Sequence, residues 1–225
     1  MTEAGPRKRT GRTASWPRKI VRGTGRTLVT AGVLVLLFVV YELFITNFLT
    51  DRAQQSLRSD LIHGDIPNRP IPGQALGIIQ IPKIGLDMAI VEGTCIDDLK
   101  LGPGHYDGRC GGSKRGTPLP GEDGNVGIAG HRTTYAKPFW SLDELVAGDE
   151  IYVWTLDGKF TYEVQWQRVV KPWDIYVLDQ PRRDGVALLT LTTCTPKFSA
   201  AERLIIRAEQ VGDPESAKKL IRGAF

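Results

Sequence analysis

The chain has 225 residues, enough for one globular domain with additional segments, and its 41% hydrophobic and 24% charged residues argue against wholesale disorder. No fibrous or repeat period is present, which excludes collagen-like and solenoid architectures. The net charge of +4 is unevenly distributed, because residues 1–26 carry +7 and the remainder carries −3. Since the excess of basic residues lies in this tail, the folded part is predicted not to bind nucleic acid.

An apolar segment follows the basic tail. Residues 27–41 contain no charged side chain, and the apolar sequence resumes after Glu42 up to about Asn47. This length spans a bilayer, and the bulky residues that follow offer no signal-peptidase site, which favours an uncleaved signal-anchor over a secretory signal. The basic tail then places the N-terminus in the cytoplasm and the rest of the chain outside it, with the apolar helix in contact with membrane lipid.

The predicted organisation has five parts. They are a basic cytoplasmic tail at 1–26, a transmembrane signal-anchor at 27–49, an extracytoplasmic spacer at 50–75, a β domain at 76–212 and a C-terminal tail at 213–225. The spacer begins as a short polar helix and continues as a Pro/Gly-rich stretch, which predicts an extended connection between the membrane and the domain.

Short apolar runs separated by turn residues fill the region after residue 75, a pattern typical of all-β domains. Asp157-Gly158 predicts a β-hairpin, and one or two helical turns are predicted within 139–148. The pattern favours a closed barrel or a sandwich without distinguishing them. The predicted strands are 76–82, 86–93, 124–131, 150–156, 159–170, 186–194 and 203–211.

Three cysteines divide into a pair and a single residue. Cys95 and Cys110 flank a loop-like stretch, and a disulfide between them would stabilise the fold by about 2–3 kcal/mol, although sequence alone leaves the pairing open. Cys194 ends a predicted strand, where alternation places it on one face with Thr190 and Thr192. It is either a small buried residue or a nucleophile beside a groove.

A nucleophilic thiol needs a proton-transfer group and a positive charge near the oxyanion. His63 lies in the spacer and His105 in a Gly/Pro loop, whereas His131 ends a predicted strand. Arg203 begins the last predicted strand, nine residues after Cys194, and alternation directs it away from the core. These patterns do not distinguish whether His131 and Arg203 are ordinary surface residues or residues of the site.

Two segments resemble the sortase family. TLTTCTP at 190–196, followed by SAAERLIIRA at 199–208, is similar to the active-site signature, and GNVGIAGHRTTYAKPFWSLDELVAGDEIYV at 124–153 is similar to the histidine segment. The resemblance covers roughly residues 76–211. The YELFITN and GPGHY segments resemble class E, the housekeeping type of high-GC Gram-positive bacteria. The Cys-containing, Gly-rich insertion at 109–122 departs from that class, whose members are shorter here, so the resemblance does not define the groove on that side.

The resemblance implies a closed eight-stranded sortase β-barrel with one or two short helices and a cysteine transpeptidase that needs no cofactor and no metal. Cys194 matches the nucleophile, His131 the general acid/base, and Arg203 the group that holds the oxyanion and the substrate backbone. Tyr106 and Thr193 are expected to contact the sorting signal. Each of these assignments is an expectation from the resemblance.

The implied reaction cleaves a Thr–Gly bond in a C-terminal sorting signal similar to Leu-Ala-x-Thr-Gly or Leu-Pro-x-Thr-Gly. It proceeds through a thioacyl enzyme and transfers a secreted protein to the amine of a lipid-linked peptidoglycan precursor at the outer face of the cell membrane. Two alternatives stay open. One is a hydrolytic cysteine peptidase of the same fold, and the other is a non-catalytic, membrane-tethered barrel that binds cell-wall material.

Overall fold

A computed structural model describes residues 16–41, 46–63, 69–110 and 116–216 of the chain, without the side chains of 16–20 and 46–47. Most of the predicted basic tail, part of the insertion at 109–122 and most of the predicted C-terminal tail lie outside these ranges. The chain divides into two units, Met1–Ile45 and Thr46–Phe225, which are described separately.

The first unit contains one long helix, α1, at Trp16–Val40. Its segment Val21–Val40 is long and apolar enough to cross a membrane, and its side chains are exposed. A helix with these properties serves either as a membrane anchor or as a signal sequence.

The second unit is a β domain with short helical additions. Its helices are α2 (Thr46–His63) and α3 (Ile96–Leu99), and single 3₁₀ turns lie at Pro82–Ile84, Leu142–Glu144 and Ile175–Leu178. The strands are β1 (Ala75–Ile81), β2 (Leu86–Glu92), β3 (Gly104–His105), β4 (Gly124–Ala129), β5 (Glu150–Trp154), β6 (Gly158–Val170), β7 (Ala187–Thr195), β8 (Glu202–Gln210) and β9 (Glu215–Ser216).

Eight of these strands close into a barrel. The order β5-β1-β2-β3-β4-β7-β8-β6 returns to its start, because β6 also pairs with β5, while β9 adds to β6 outside the ring. Neighbours are antiparallel except for β2–β3 and β4–β7, which are parallel. The expected closed eight-stranded barrel is therefore confirmed, and the sandwich is excluded. β3 was not predicted, because two residues carry no alternation pattern.

The barrel interior is filled by the inward residues of alternating strands. Leu189 and Leu191 of β7 and Leu204 and Ile206 of β8 are at most 4% exposed and belong to the same cluster. The segment predicted to form one or two helical turns at 139–148 contains a single 3₁₀ turn and contributes Phe139, Leu142 and Leu145 to this cluster. This alternation leaves Cys194 and Arg203 on the outer face of the wall.

Helix α2 packs against the barrel. Leu57 and Leu61 are each 5% exposed and contact Ile78 and Ala89 of β1 and β2. Gln54 accepts a hydrogen bond from the Ala89 amide (2.7 Å) and donates one to the Ala89 carbonyl (3.0 Å). The helix predicted at the start of the spacer is therefore present, but it docks on the barrel, so this part of the spacer is not an extended connection. Two leucines four residues apart form its apolar contact with the barrel. Because the residues between them are polar or charged, the sequence does not display this apolar face clearly.

Candidate active site

The strand registers bring three of the predicted site residues into one row. Ala129 at the end of β4 pairs with Thr192 of β7 in parallel register, an offset of 63 residues, and continuing this offset sets His131 opposite Cys194. Cys194 in turn pairs with Arg203 across the antiparallel β7–β8 ladder. The thiol therefore lies between the imidazole on one side and the guanidinium on the other.

All three side chains line a single cavity of about 340 Å³ on the outer face of the barrel. One wall comes from the connection between β6 and β7, and the opposite one from the region of α3 and β3. The lining residues are Thr94, Leu99, Tyr106, Ala129, Gly130, His131, Val170, Lys171, Pro172, Asp174, Ile175, Val177, Leu178, Thr192, Thr193, Cys194, Arg203 and Ile205. This mixture of apolar surface and a few convergent polar groups is typical of a peptide-sized binding site.

The His131 ring is held mainly by packing against neighbouring side chains. Its centroid lies 5.0 Å from that of Tyr135, and within the described part of the chain its buried Nε2 atom has no hydrogen-bond partner. The preceding Gly130 allows the Phe139 ring to pack against the backbone, since a Cβ atom there would lie 2.5 Å from Phe139 Cδ2. Burial lowers the pKa of the His131 imidazole below its ordinary value of 6.5, because the charged form loses solvation.

Cys194 and Arg203 differ in their present contacts. Cys194 is partly exposed, and it is the one cysteine of the chain outside a disulfide. The Arg203 NH1 group donates hydrogen bonds to the carbonyl oxygens of Ala200 and Glu202, both at 3.0 Å. These bonds hold one terminal nitrogen of the guanidinium, which lines the cavity and carries five N–H donors in a planar fork.

Tyr106 and Thr193, expected to contact the substrate, both line the cavity but differ in placement. The Tyr106 hydroxyl shares a 2.9 Å hydrogen bond with Thr192, and burial is the main cause that raises the Tyr106 pKa above its usual 10.0. The Thr193 hydroxyl instead donates to the Gly130 carbonyl oxygen at 2.8 Å. Thr192 was not among the predicted site residues, although it shares the outer face with Cys194 by the same alternation.

A buried polar network, which was not predicted from the sequence, holds the cavity wall at 175–178 in place. Asn125 Nδ2 donates to the Val177 carbonyl oxygen (3.0 Å), and Arg207 NH2 donates to the same atom (2.6 Å). Thr190 donates to Asn125 Oδ1 at 2.6 Å. Asn125 and Thr190 are fully buried, so these bonds are shielded from water and keep the wall in place without substrate.

Cys95 and Cys110 form a disulfide, with Cα atoms 5.1 Å apart. Cys95 caps α3, and the adjacent Thr94 donates a hydrogen bond to the Cys110 carbonyl oxygen at 3.1 Å. Because Thr94 and Leu99 line the cavity, the disulfide lies directly behind that wall.

His105, which was predicted to lie in a Gly/Pro loop, lies in a strand. It belongs to β3 and is 2% exposed. Its Nδ1 atom is 2.9 Å from Glu92 Oε2, and its Nε2 atom is 3.0 Å from the Pro118 carbonyl oxygen. Both nitrogens are occupied by structural partners, so His105 is part of the scaffold behind Tyr106. His63, by contrast, bonds to Ser59 on the exposed face of α2.

A thiol, an imidazole and a guanidinium in one partly enclosed cavity can carry out acyl transfer. The thiol supplies a nucleophile, the imidazole moves protons, and the guanidinium stabilises negative charge on a carbonyl oxygen. Within the described ranges, no group of three or more His, Cys, Asp or Glu side chains is arranged to hold a metal ion.

The chain is similar to known proteins of one family. Residues 79–211 match the sortase domain family. The chain is 35% identical to Sortase SrtE1 of Streptomyces coelicolor over 210 residues, covering 88% of this chain and 59% of that protein's length. The crystal structure of Sortase E1 from Streptomyces coelicolor with a tripeptide in the active site is 34% identical, with a TM-score of 0.57, covering 64% of this chain and 91% of that one.

A second solved structure, the Clostridium perfringens Sortase D5 transpeptidase, is 30% identical with a TM-score of 0.60 and covers 72% of this chain and 98% of its own. The family match extends over more than half of the chain and includes all of the strands that carry the thiol, the imidazole and the guanidinium. The chain therefore belongs to the sortase family, a family of cysteine transpeptidases.

Proposed function

We propose that this protein is a membrane-anchored transpeptidase that cleaves the Thr–Gly bond of a C-terminal sorting signal and transfers the acyl group to a cell-wall precursor amine. The observation that carries the proposal is the row formed by His131, Cys194 and Arg203 across β4, β7 and β8, within one cavity. The similarity to class E sortases supports a signal of the Leu-Ala-x-Thr-Gly type.

The first half-reaction forms a thioester. The Cys194 thiolate attacks the carbonyl carbon of the signal's Thr residue, and the carbonyl oxygen becomes an oxyanion. As the C–N bond breaks, protonated His131 donates its proton to the leaving Gly amine. The product is an acyl group bound to Cys194 Sγ, with a neutral imidazole beside it.

The second half-reaction reverses these roles. The amine of the acceptor attacks the thioester carbonyl, neutral His131 accepts the amine proton, and the Cys194 thiolate leaves as the new amide forms. Arg203 stabilises the oxyanion of both tetrahedral intermediates, because its planar fork has further N–H groups beside the one bonded to the Ala200 and Glu202 carbonyl oxygens. A guanidinium fixed before substrate arrives needs little reorganisation.

We assign recognition of the sorting signal to the cavity wall formed by the region of α3 and β3, opposite the β6–β7 connection. Tyr106 is the main candidate, since its ring lines the cavity and its hydroxyl is fixed by Thr192. Thr193 contributes to recognition through its position next to the nucleophile, and its hydroxyl donates a hydrogen bond to the Gly130 carbonyl oxygen.

The proposed anchor is the apolar part of α1, with the basic tail in the cytoplasm and the barrel outside. The length and apolar character of Val21–Val40 support this arrangement. Substrate proteins that emerge from the membrane, and a lipid-linked acceptor in it, would both be concentrated at a tethered enzyme. The proposed boundaries stay those of the sequence, namely a tail to 26, an anchor to 49, a connecting segment to 75 in which α2 docks on the barrel, a barrel to 212 and a C-terminal tail to 225.

A ligation assay tests the proposal. The full chain is incubated with a Leu-Ala-x-Thr-Gly peptide and an added glycine-peptide amine, and the products are identified by mass. We expect an amine-dependent ligation product, which Cys194→Ala abolishes and Arg203→Lys strongly reduces, since an ammonium lacks the planar fork. If the rate and products of cleavage do not change when the amine is added, the protein is instead a hydrolytic peptidase.

A further inference from the structure

The β4–β7 ladder ends just before it reaches the thiol and the imidazole. Its last paired residues are Ala129 and Thr192, and its last backbone hydrogen bond runs from the Gly130 amide to the Thr192 carbonyl oxygen at 3.1 Å. His131 and Cys194 lie beyond this end. The spacing of their backbones is therefore not set by sheet hydrogen bonds.

Side chains continue the same register past the end of the ladder. Thr193 donates its hydroxyl proton to the Gly130 carbonyl oxygen at 2.8 Å, and Arg132 NH1 donates to Thr195 Oγ1 at 3.2 Å. Both pairs keep the 63-residue offset of the strands. Arg132 and Thr195 are the immediate successors of His131 and Cys194, so their bond joins the two backbones one residue beyond the site.

This bond lies on the side away from the substrate cavity. Neighbouring residues of extended chain point to opposite faces. In agreement, Arg132 and Thr195 line a separate cavity of about 290 Å³, whose lining does not include His131 or Cys194. The Arg132–Thr195 bond thus holds the two backbones together from behind while the imidazole and the thiol face the groove.

A third segment fixes Arg132 itself. Its NH2 group is 2.7 Å from Asp143 Oδ1, in the 3₁₀ turn at Leu142–Glu144, and the Arg132 side chain is only 3% exposed. A guanidinium can make both contacts at once because its donors form a rigid fork. One side chain therefore ties the segment after His131 to the end of β7 and to the turn that plugs the barrel.

His131 needs such a support. A catalytic imidazole is commonly oriented by a hydrogen bond between one ring nitrogen and a carboxylate or carbonyl. In the described residues, the buried Nε2 atom of His131 has no hydrogen-bond partner. Without a hydrogen bond at this atom, the position of the ring depends on its packing against Tyr135 and on where its backbone is held.

We propose that Arg132 is a positioning residue for the transpeptidase reaction, which sets the distance between His131 and Cys194 through its bonds to Thr195 and Asp143. This inference rests on the proposed roles of those two residues. It predicts that loss of the Arg132–Thr195 bond slows the chemical step and leaves substrate binding unchanged.

The test uses two variants with a matched control in the full chain. Thr195→Val keeps the side-chain volume and removes the acceptor, and Arg132→Gln removes the fork. We expect kcat to fall by about tenfold to a hundredfold in both, with KM within about twofold of the wild type, because small misplacement of reacting groups is costly. The double variant should be no slower than Arg132→Gln, since both remove one interaction. Arg168→Gln, in the same cavity, should keep the wild-type kcat.

A second readout does not depend on the peptide reaction. Iodoacetamide alkylates the Cys194 thiolate and releases iodide, and the pH dependence of this rate reports the imidazole beside the thiol. Thr195→Val and Arg132→Gln should shift the profile towards that of His131→Ala, while Arg168→Gln should not.

If turnover is absent in the wild type, the proposed function fails, and the alkylation profiles still decide the role of Arg132. If Arg132→Gln does not fold, Thr195→Val decides it. Variants that lower only the melting temperature, with wild-type kcat and alkylation profile, would overturn the proposal.

Discussion

At the scale of residues, the site depends on two pairing registers that meet at Cys194. The parallel β4–β7 register brings His131 to one side, and the antiparallel β7–β8 register brings Arg203 to the other. Because Leu191 and Ile206 point inward from the same strands, the core fixes which face these polar groups occupy. A one-residue slip of β7 would turn the thiol into the barrel.

The burial of His131 predicts the pH dependence of the reaction. A lowered pKa means that the His131 imidazole loses its proton at a lower pH than a free imidazole, so the limb of the kcat/KM profile that reports its titration should have its midpoint below pH 6.5. A pH–rate profile with the sorting peptide measures this limb. Loss of the corresponding limb from Cys194 alkylation in His131→Ala assigns it. A midpoint above pH 6.5 would contradict the buried environment.

The buried pair of His105 and Glu92 predicts a structural effect. His105→Ala leaves the Glu92 carboxylate, in a side chain 10% exposed, without its hydrogen-bond partner, which should lower the free energy of unfolding by about 1–3 kcal/mol. Denaturant unfolding measures the loss. His63→Ala, on the exposed face of α2, is the control and should change stability by less than about 0.5 kcal/mol. Equal stabilities of the two variants would refute the scaffold role.

At the scale of elements, local patterns predict the strands, and long-range pairing explains what they miss. Alternation predicts that Leu204 and Ile206 enter the core and that Arg203 does not, as the structure confirms. The parallel β4–β7 contact joins distant segments that no short connection links, so the proximity of His131 to Cys194 was available only from the family resemblance. The burial of His105 was missed because the two residues of β3 carry no alternation pattern that would indicate their pairing with β2.

Docking of α2 predicts that this helix is part of the domain. Leu57→Ala should lower the free energy of unfolding by about 2–5 kcal/mol, because the side chain is buried against β1 and β2. Ile62→Ala is the matched control, since Ile62 lies on the same helix and is 44% exposed. Chemical denaturation compares the two. If both variants unfold like the wild type, α2 is a spacer and not a part of the fold.

At the scale of the whole molecule, the +7 charge of residues 1–26 and the apolar helix after it predict a membrane protein. Expressed in a Gram-positive host, the chain should fractionate with membranes, and protease added to protoplasts should digest the barrel. Recovery of a soluble, N-terminally trimmed protein from the medium would show that the segment acts as a cleaved signal.

The central claim is that Cys194 becomes acylated, and intact-protein mass spectrometry tests it most directly. The full chain, mixed with a Leu-Ala-x-Thr-Gly peptide and no amine acceptor, should gain the mass of the peptide acyl group up to Thr. Fragmentation should map this mass to Cys194, the cysteine outside the disulfide. Cys194→Ala should gain nothing, and an added amine should remove the adduct from the wild type. A wild-type protein that binds the peptide but never carries this mass would contradict the account and leave a non-catalytic barrel.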